Sequence, residues 1–428
     1  MTWRRPHLLP AVSPMKLPSD DEQAPVLDLR SGRSIWERIA PPPSPTDRLT
    51  ESIKADVVIV GSGITGSFIA ERLTRAGRSV VVLDRNAPQT ASTAASTALL
   101  LWELDVPMLE LEDRLGFEAC AAVYRHSIDA VRGIAALVAH FGLGCSFAPR
   151  NSLYLAGSAL DAADLREELR LRQRAGIDGK FLDAAELAAT YGLRRDAALV
   201  HGGSAEADPV ALARGLMQVA VGRGARVYSP AQVVAYNASA SSATVMTSDG
   251  FSIEAELLVL ANGYEMPPFV QPKVSRVGST WALATKPQPN AVLWPNRTLL
   301  WEASEPYLYM RTTARDEIII GGEDETSADA EERDRQIPAK VERLLQSLQA
   351  LLPQARLEID TAWAGFFSQT DDGLPLIGPV PNYPRCYAAF GYGGNGITFS
   401  ALAASMIRAI IETGRHPLQE LVAIDRDA

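Results

Sequence analysis

Cysteine and histidine are scarce in this chain, at three and five residues of 428. Cys120, Cys145 and Cys386 are odd in number, far apart and outside any CxxC or Cys/His spacing, so they offer no metal site or redox pair. They fit a reducing cytoplasmic setting and read as small buried apolar groups. Long apolar runs are also missing: Glu, Asp or Asn interrupts even the most apolar stretches, so no membrane span is expected. No basic block occurs, and a net charge of −10 with a pI of about 5.2 opposes tight binding to nucleic acid or anionic lipid. Arg4 and Arg5 stand together without the apolar region a secretion signal needs.

What is abundant is apolar material, 47% of the chain, enough for one large core or two domains. Residues 1–54 read as an N-terminal extension without chemistry, a tail draped over the surface, proline-rich at Pro41, Pro42, Pro43 and Pro45, with Met15 as an alternative start. The remainder divides into a discontinuous α/β unit at 55–101, 200–265 and 357–420, and an inserted α+β unit on an antiparallel sheet at 102–199 and 266–356. Helix signals are explicit in two places: Asp183 and Glu186 form a capping box in the first insertion, and Asp208-Pro209 opens a helix to about Val221 in the α/β unit. Strand patterns follow at 232–245, 251–253 and 256–260, with a turn at Asp249-Gly250.

Three glycine-rich sites, near residues 61, 263 and 393, carry the chemistry. In DVVIVGSGITG a β-branched strand runs into Gly61, Gly63 and Gly66 and then a helix. In a dinucleotide fold the first glycine permits the tight turn, the second admits a pyrophosphate, and the third allows close helix–strand packing. Asp84 ends the next strand at the roughly 20-residue spacing suited to an adenosine ribose. The run TASTAAST supplies small side chains and hydroxyls from Ser92, Thr93, Ser96 and Thr97, which suit a backbone lying against a flat ring. Ala261, Asn262 and Gly263 close an apolar strand at the sheet's carboxyl edge, where ligands bind in open α/β folds. In GYGGNGITFS, Gly393, Gly394 and Gly396 precede a helix whose amides and positive dipole end suit negative charge.

Together with TDDGLPLIGP, these ordered motifs resemble the FAD-dependent oxidoreductases related to D-amino-acid oxidase, in the glycine oxidase and sarcosine oxidase branch. The resemblance spans nearly all of 55–412. It implies a Rossmann-like FAD-binding domain with an inserted substrate domain, and noncovalent FAD. The implied cofactor contacts are Gly61, Ser62, Gly63, Ile64, Thr65, Gly66, Asp84, Arg85, Ser92, Thr93, Ser96, Thr97, Val233, Ala261, Asn262 and Gly263, then Gly365, Asp372, Gly373, Gly393, Gly394, Asn395, Gly396, Ile397 and Thr398.

Substrate is expected at Tyr307, Tyr309 and Arg311, which alternate on one strand face as two aromatic walls and a guanidinium fork for a carboxylate. Glu323 is a weaker candidate. Trp102, Glu103 and Asp105 follow the small-residue run and also suit the substrate side. Departures from the branch are Ile319 for the lysine that activates oxygen, Gly394 and Thr398 for a second basic residue, and no cysteine near Gly365 for covalent flavin. The implied reaction is oxidation of an amino acid or related amine through an imine, with oxygen or another electron acceptor. Oxidation of a 2-hydroxy acid and a non-catalytic flavoprotein subunit are the alternatives, with a nicotinamide-dependent dehydrogenase behind them. No metal motif is present.

Overall fold

The structure is a computed structural model that describes residues 28–39, 46–270 and 274–426. The four prolines at 41–45, the Arg4-Arg5 pair and Met15 lie outside the described residues.

Two sheets organise the chain. The first is built on five parallel strands in the order Cys386–Phe390, Ser252–Leu260, Ile53–Val60, Val80–Leu83 and Arg226–Tyr228. Its central strand reads as a continuous apolar run because both faces are covered, by helices on one side and by the strands Val233–Ala238 and Ala243–Thr247 on the other: Val57, Val58 and Ile59 are fully buried. Burial of each such side chain contributes roughly 1.5–3 kcal/mol. On one face the helix Ile64–Arg75 packs between the helices Pro209–Gly222 and Gly396–Thr413, and the hydroxyls of Thr65 and Ser400 meet at 2.7 Å. Gly396–Thr413 is apolar over most of its length, but it is largely buried as the core helix of this unit.

The second sheet has ten strands. Ser275–Thr285, Ile318–Glu325, Leu308–Thr312 and Leu299–Glu302 form an antiparallel succession, and Ala148–Leu155 joins it in parallel. The strands Ala197–Glu206 and Ile359–Thr370 both belong here. The sequence reading places 359–370 in the nucleotide unit, but this strand pairs antiparallel along Ser275–Thr285 instead. The helix Ala330–Leu351 covers this sheet.

Local signals match where a cap or turn is explicit. Asp183 caps Ala184–Tyr191 with Glu186 closing the box, and Asp208 accepts from the amides of Val210 and Ala211. The expected strand 232–245 is two strands, Val233–Ala238 and Ala243–Thr247. Ser239 turns the chain between them, its hydroxyl and amide satisfied by Ser242.

Residues 28–39 are a structural element, contrary to the reading of the N-terminal extension as a surface tail. Arg30–Gly32 adds an antiparallel edge strand beside Trp363–Gly365, and Ile35 and Trp36 are fully buried. The Trp36 indole N–H donates to the Ser96 carbonyl at 2.6 Å, and the Arg30 Nε donates to the Thr90 carbonyl at 2.7 Å. This segment therefore braces the small-residue run from behind. Trp36→Ala is expected to lower unfolding stability by about 3–5 kcal/mol, with Trp36→Phe much milder. Chemical denaturation of the two variants checks this, and equal, near-wild-type midpoints would show the segment to be dispensable.

Candidate active site

A single long cavity of about 1390 Å³ lies between the two sheets and is lined by all three glycine-rich sites. Ligand pockets for drug-sized molecules run from about 300 to 1,000 Å³, so this cavity has room for a dinucleotide and a small second molecule. One end is formed by Asp84, Arg85, Val233, Tyr236 and Phe269, the middle by residues 61, 63–65, 90–93, 95–98 and 261–263, and the far end by Tyr307, Tyr309, Asp324 and Asp105.

The backbone crossing at the first motif sets this geometry. Gly61 has φ +105°, and a side chain there would run into the Ala261 carbonyl of the neighbouring strand; one on Gly66 would overlap the Gly61 carbonyl. Both positions require glycine. A Cβ on Gly63 would meet only the Thr93 hydroxyl, at 3.2 Å, so Gly63 is open toward the cavity. Asp84 is oriented by the Ser62 amide at 2.8 Å and the Asn86 amide at 2.9 Å.

The run 90–98 presents its small side chains to the cavity because its carbonyls are held from behind. Thr90, Ala95, Ser96 and Ala98 accept hydrogen bonds from Arg30, Trp363, Trp36 and Arg311 respectively. The Ser92 hydroxyl and the Asn262 side-chain oxygen are buried, line the cavity and have no hydrogen-bond partner among the described residues, whereas the Tyr392 hydroxyl interacts with those of Thr65 and Ser400. Buried polar atoms of this kind call for a ligand or water.

Most of the expected cofactor residues line the cavity: Gly61, Gly63, Ile64, Thr65, Asp84, Arg85, Ser92, Thr93, Ser96, Thr97, Val233, Ala261, Asn262, Gly263, Gly365, Gly393, Gly394, Gly396 and Ile397. Six do not. Ser62 and Gly66 act one layer back, through Asp84 and through packing. Asn395 and Thr398 donate to the backbone at Leu101 and Glu103, pinning the C-terminal motif to the strand that follows the small-residue run. Asp372 is a correction: it makes a two-pronged ion pair with Arg426, both contacts at 2.8 Å, and accepts the Leu374 amide. Gly373 turns against Val106, outside the cavity.

Arg311 is the larger correction. It lies one alternate position beyond Tyr309, but its guanidinium does not line the cavity. Its Nη1 donates to the carbonyls of Ala98 at 2.6 Å and Ala207 at 3.0 Å, its Nε lies 3.7 Å from the Glu206 carboxylate, and Trp36 stacks over it. The fork is spent on holding the cofactor-lining segment. Ile319 is buried opposite Arg311 in the sheet rather than in the cavity wall. Glu323 points away, paired with Arg343 at 2.6 Å, and Asp324 faces the cavity instead. The shift has a local cause, since Gly322 has φ +141° and Glu323 φ +61°, which break the strand alternation. Of the LLLWELD candidates only Asp105 lines the cavity. Trp102 donates to the Gly202 carbonyl, and Glu103 is buried against Ser152, Ser204 and Arg172.

The far end of the cavity is acidic and aromatic. Asp105 accepts the Gly394 amide at 2.6 Å. Burial raises the pKa of Asp324 to about 6, opposed by the Thr280 and Tyr307 hydroxyls and reinforced by the negative charge of Asp105. Among the described lining residues the one cationic side chain is Arg85, at the opposite end and ion-paired with Glu265. Burial pushes the thiols of Cys120 and Cys386 up to about 12, as expected of inert core groups.

A glycine-rich strand–helix turn, a ribose acid and a second glycine-rich helix start, all facing one cavity, define a dinucleotide-dependent oxidoreductase of the flavin type. The chain belongs to the FAD dependent oxidoreductases, the DAO family, whose family model matches residues 56–410. Among curated relatives it is 26% identical over 379 residues to gamma-glutamylputrescine oxidoreductase of Escherichia coli, covering 86% of each chain. It is 25% identical over 374 residues to glycine oxidase of Bacillus licheniformis, covering 83% of this chain and 92% of that one. Among solved structures, glycine oxidase from Geobacillus kaustophilus superposes with a TM-score of 0.72 at 20% identity, over 88% of this chain and 99% of that one. L-proline dehydrogenase from P. horikoshii shares the fold with the same score at 19% identity, covering 88% of this chain and 98% of that one.

The residues present fit FAD. The cavity has the required volume, the Gly63 face is bare where a pyrophosphate must approach, and Ser92 and Asn262 offer polar atoms unpaired among the described residues. Gly365 carries no side chain for a covalent link, so acid precipitation is expected to release the yellow colour into the supernatant. Gly63→Val should give folded, colourless protein, because the new side chain fills the pyrophosphate position without striking backbone. Gly66→Ala should instead compromise folding itself. Absorbance at the flavin band and far-UV circular dichroism separate the two, and a yellow Gly63→Val protein with wild-type flavin content would contradict the placement.

Proposed function

We propose that this chain oxidises an amine at the carbon next to nitrogen. FAD, when bound, would supply the oxidising chemistry, acceptance of a hydride from that carbon; with loss of the nitrogen's proton the substrate becomes an imine, which water hydrolyses to a carbonyl compound and a free amine. The observation that carries the reading is the far end of the cavity, where aromatic rings and carboxylates face the reacting space and, among the described residues, no imidazole does. An uncharged amine needs no protein base to lose hydride once it is held at near-attack distance. The side chains of Tyr307, Tyr309 and Trp301 would hold it there and exclude water.

Oxidation of a 2-hydroxy acid, by contrast, needs a base beside the hydroxyl. Among the described residues His126, His140 and His416 lie outside the cavity, and His7 falls outside those residues. His201 is fully buried beside Arg172, and burial with that charge pushes its pKa down to about 2. The names of the relatives, one acting on a putrescine derivative and others on glycine, support an amine or amino acid as the substrate class. The test is an anaerobic screen of amines, amino acids and 2-hydroxy acids against the yellow protein. Bleaching by members of the first two groups is expected, and bleaching by 2-hydroxy acids alone would overturn the reading.

The electron acceptor follows from charge. Oxygen reduction at a flavin is helped by a nearby cation that stabilises developing superoxide in a low-dielectric pocket. The described cavity has only Arg85, neutralised by Glu265 at the opposite end, and Ile319 and Thr398 stand where the family resemblance implies basic residues. Reduced protein is therefore expected to return to the oxidised spectrum slowly in air-saturated buffer and rapidly on adding a soluble quinone. Stopped-flow reoxidation checks this, and a fast second-order return with oxygen would make the protein an oxidase.

A further inference from the structure

The far end of the cavity carries two carboxylates and no cationic side chain among the described residues that line it; Lys340, which acts on Asp324 from behind the wall, is spent on the Glu325 carboxylate at 2.7 Å and the Glu323 carbonyl at 2.6 Å. Asp105 projects from the segment after the small-residue run and Asp324 from the distorted end of Ile318–Glu325. Asp324 interacts with the hydroxyls of Thr280 and Tyr307, yet its Oδ1 is buried without a hydrogen-bond partner. Around the pair stand Tyr307 and Tyr309, with ring centroids 5.5 Å apart, and Trp301, held flat by a 3.7 Å stack on Tyr154. Phe366 and Phe367 complete the apolar lining. An orphaned carboxylate oxygen within aromatic walls is poorly matched to a carboxylate ligand, which it repels, and well matched to an ammonium group, which both the acids and the ring faces attract.

We propose that this end of the cavity is an ammonium subsite, in which Asp324, assisted by Asp105 and the Tyr307–Tyr309–Trp301 walls, binds a second, positively charged nitrogen of the substrate. The substrate class is then a diamine or longer aliphatic polyamine, free or substituted at the nitrogen that is oxidised. The proposal rests on the amine-oxidation reading above and narrows it. One nitrogen reaches the reacting position uncharged, and the other stays protonated against Asp324, so recognition and chemistry use different ends of one molecule. Asp324 is here a specificity residue rather than a catalytic one.

The same logic accounts for the lost role of Arg311. With that guanidinium spent on the carbonyls of Ala98 and Ala207, no described lining residue offers a fork for an α-carboxylate. The inward carboxylates would add a repulsion against simple amino acids. Selectivity thus has an attractive and a repulsive part.

The experiment is anaerobic reduction of the yellow holoenzyme by three probes of matched length: 1,4-diaminobutane, n-butylamine and 4-aminobutanoate. The diamine is expected to bleach the flavin with a second-order rate constant at least 100-fold above either of the others. In Asp324→Asn, which keeps the shape and the hydroxyl contacts, the ratio of diamine to n-butylamine should fall at least 10-fold. Flavin content and thermal midpoint of the variant show that it is folded. Spectral titration of the oxidised flavin with 1,4-diaminobutane adds a binding readout that needs no turnover, and the variant should weaken it by a similar factor. Equal rates with diamine and n-butylamine, preference for 4-aminobutanoate, or an unchanged ratio in Asp324→Asn would overturn the ammonium subsite and leave amine oxidation standing. Failure of all three probes and of amino acids, with dithionite still bleaching the flavin, would overturn both.

Discussion

Where the Gly61 carbonyl passes beneath Gly66 and the Ala261 carbonyl passes beside Gly61, three backbone segments approach more closely than any side chain would allow. That crossing joins the first strand, its helix and the strand ending at Ala261, and it turns the amide end of the helix toward the cavity. Everything else in the site is arranged around it. The ribose acid Asp84 is held by Ser62 in the same turn, and the Thr65 hydroxyl ties the turn to Ser400 of the C-terminal helix. A site assembled from residues some 330 positions apart thus depends on two missing side chains.

A second layer of constraint works from behind the cavity. The carbonyls of Thr90, Ala95, Ser96 and Ala98 are each held by a donor from another part of the chain, two of them from the N-terminal segment. Arg311 belongs to this layer. Its burial beside Glu206 makes it a costly group to leave unpaired, which suits a residue that fixes geometry rather than one that greets a ligand. The Ser92 hydroxyl and the Asn262 side-chain oxygen are left free toward the cavity.

The parts of this arrangement legible in the sequence were those in which a local pattern has a local cause. The strand–glycine–helix unit, Asp84, the small-residue run and the C-terminal glycine motif all line one cavity, because backbone access is encoded by glycine and by tiny side chains. The capping residues Asp183 and Asp208 were legible for the same reason. Side-chain direction was not. Tyr307, Tyr309 and Arg311 alternate as a strand requires, yet Arg311 is captured by carbonyls from two distant loops that no spacing reveals. Glu323 and Asp324 exchange places because a positive φ at Glu323 interrupts the alternation. The role of Trp36 was hidden by its setting in a proline-rich, charged stretch, whose composition resembles a tail although one tryptophan anchors it.

The central claim is that one continuous cavity grips a whole dinucleotide, the Asp84 end as firmly as the glycine-rich C-terminal end. Calorimetric titration of apoprotein with FAD and with FMN tests it most directly, since FMN lacks the adenosine half. The account predicts one FAD per chain and at least 100-fold weaker binding of FMN. Equal affinity for the two, or a stoichiometry other than one, would contradict it.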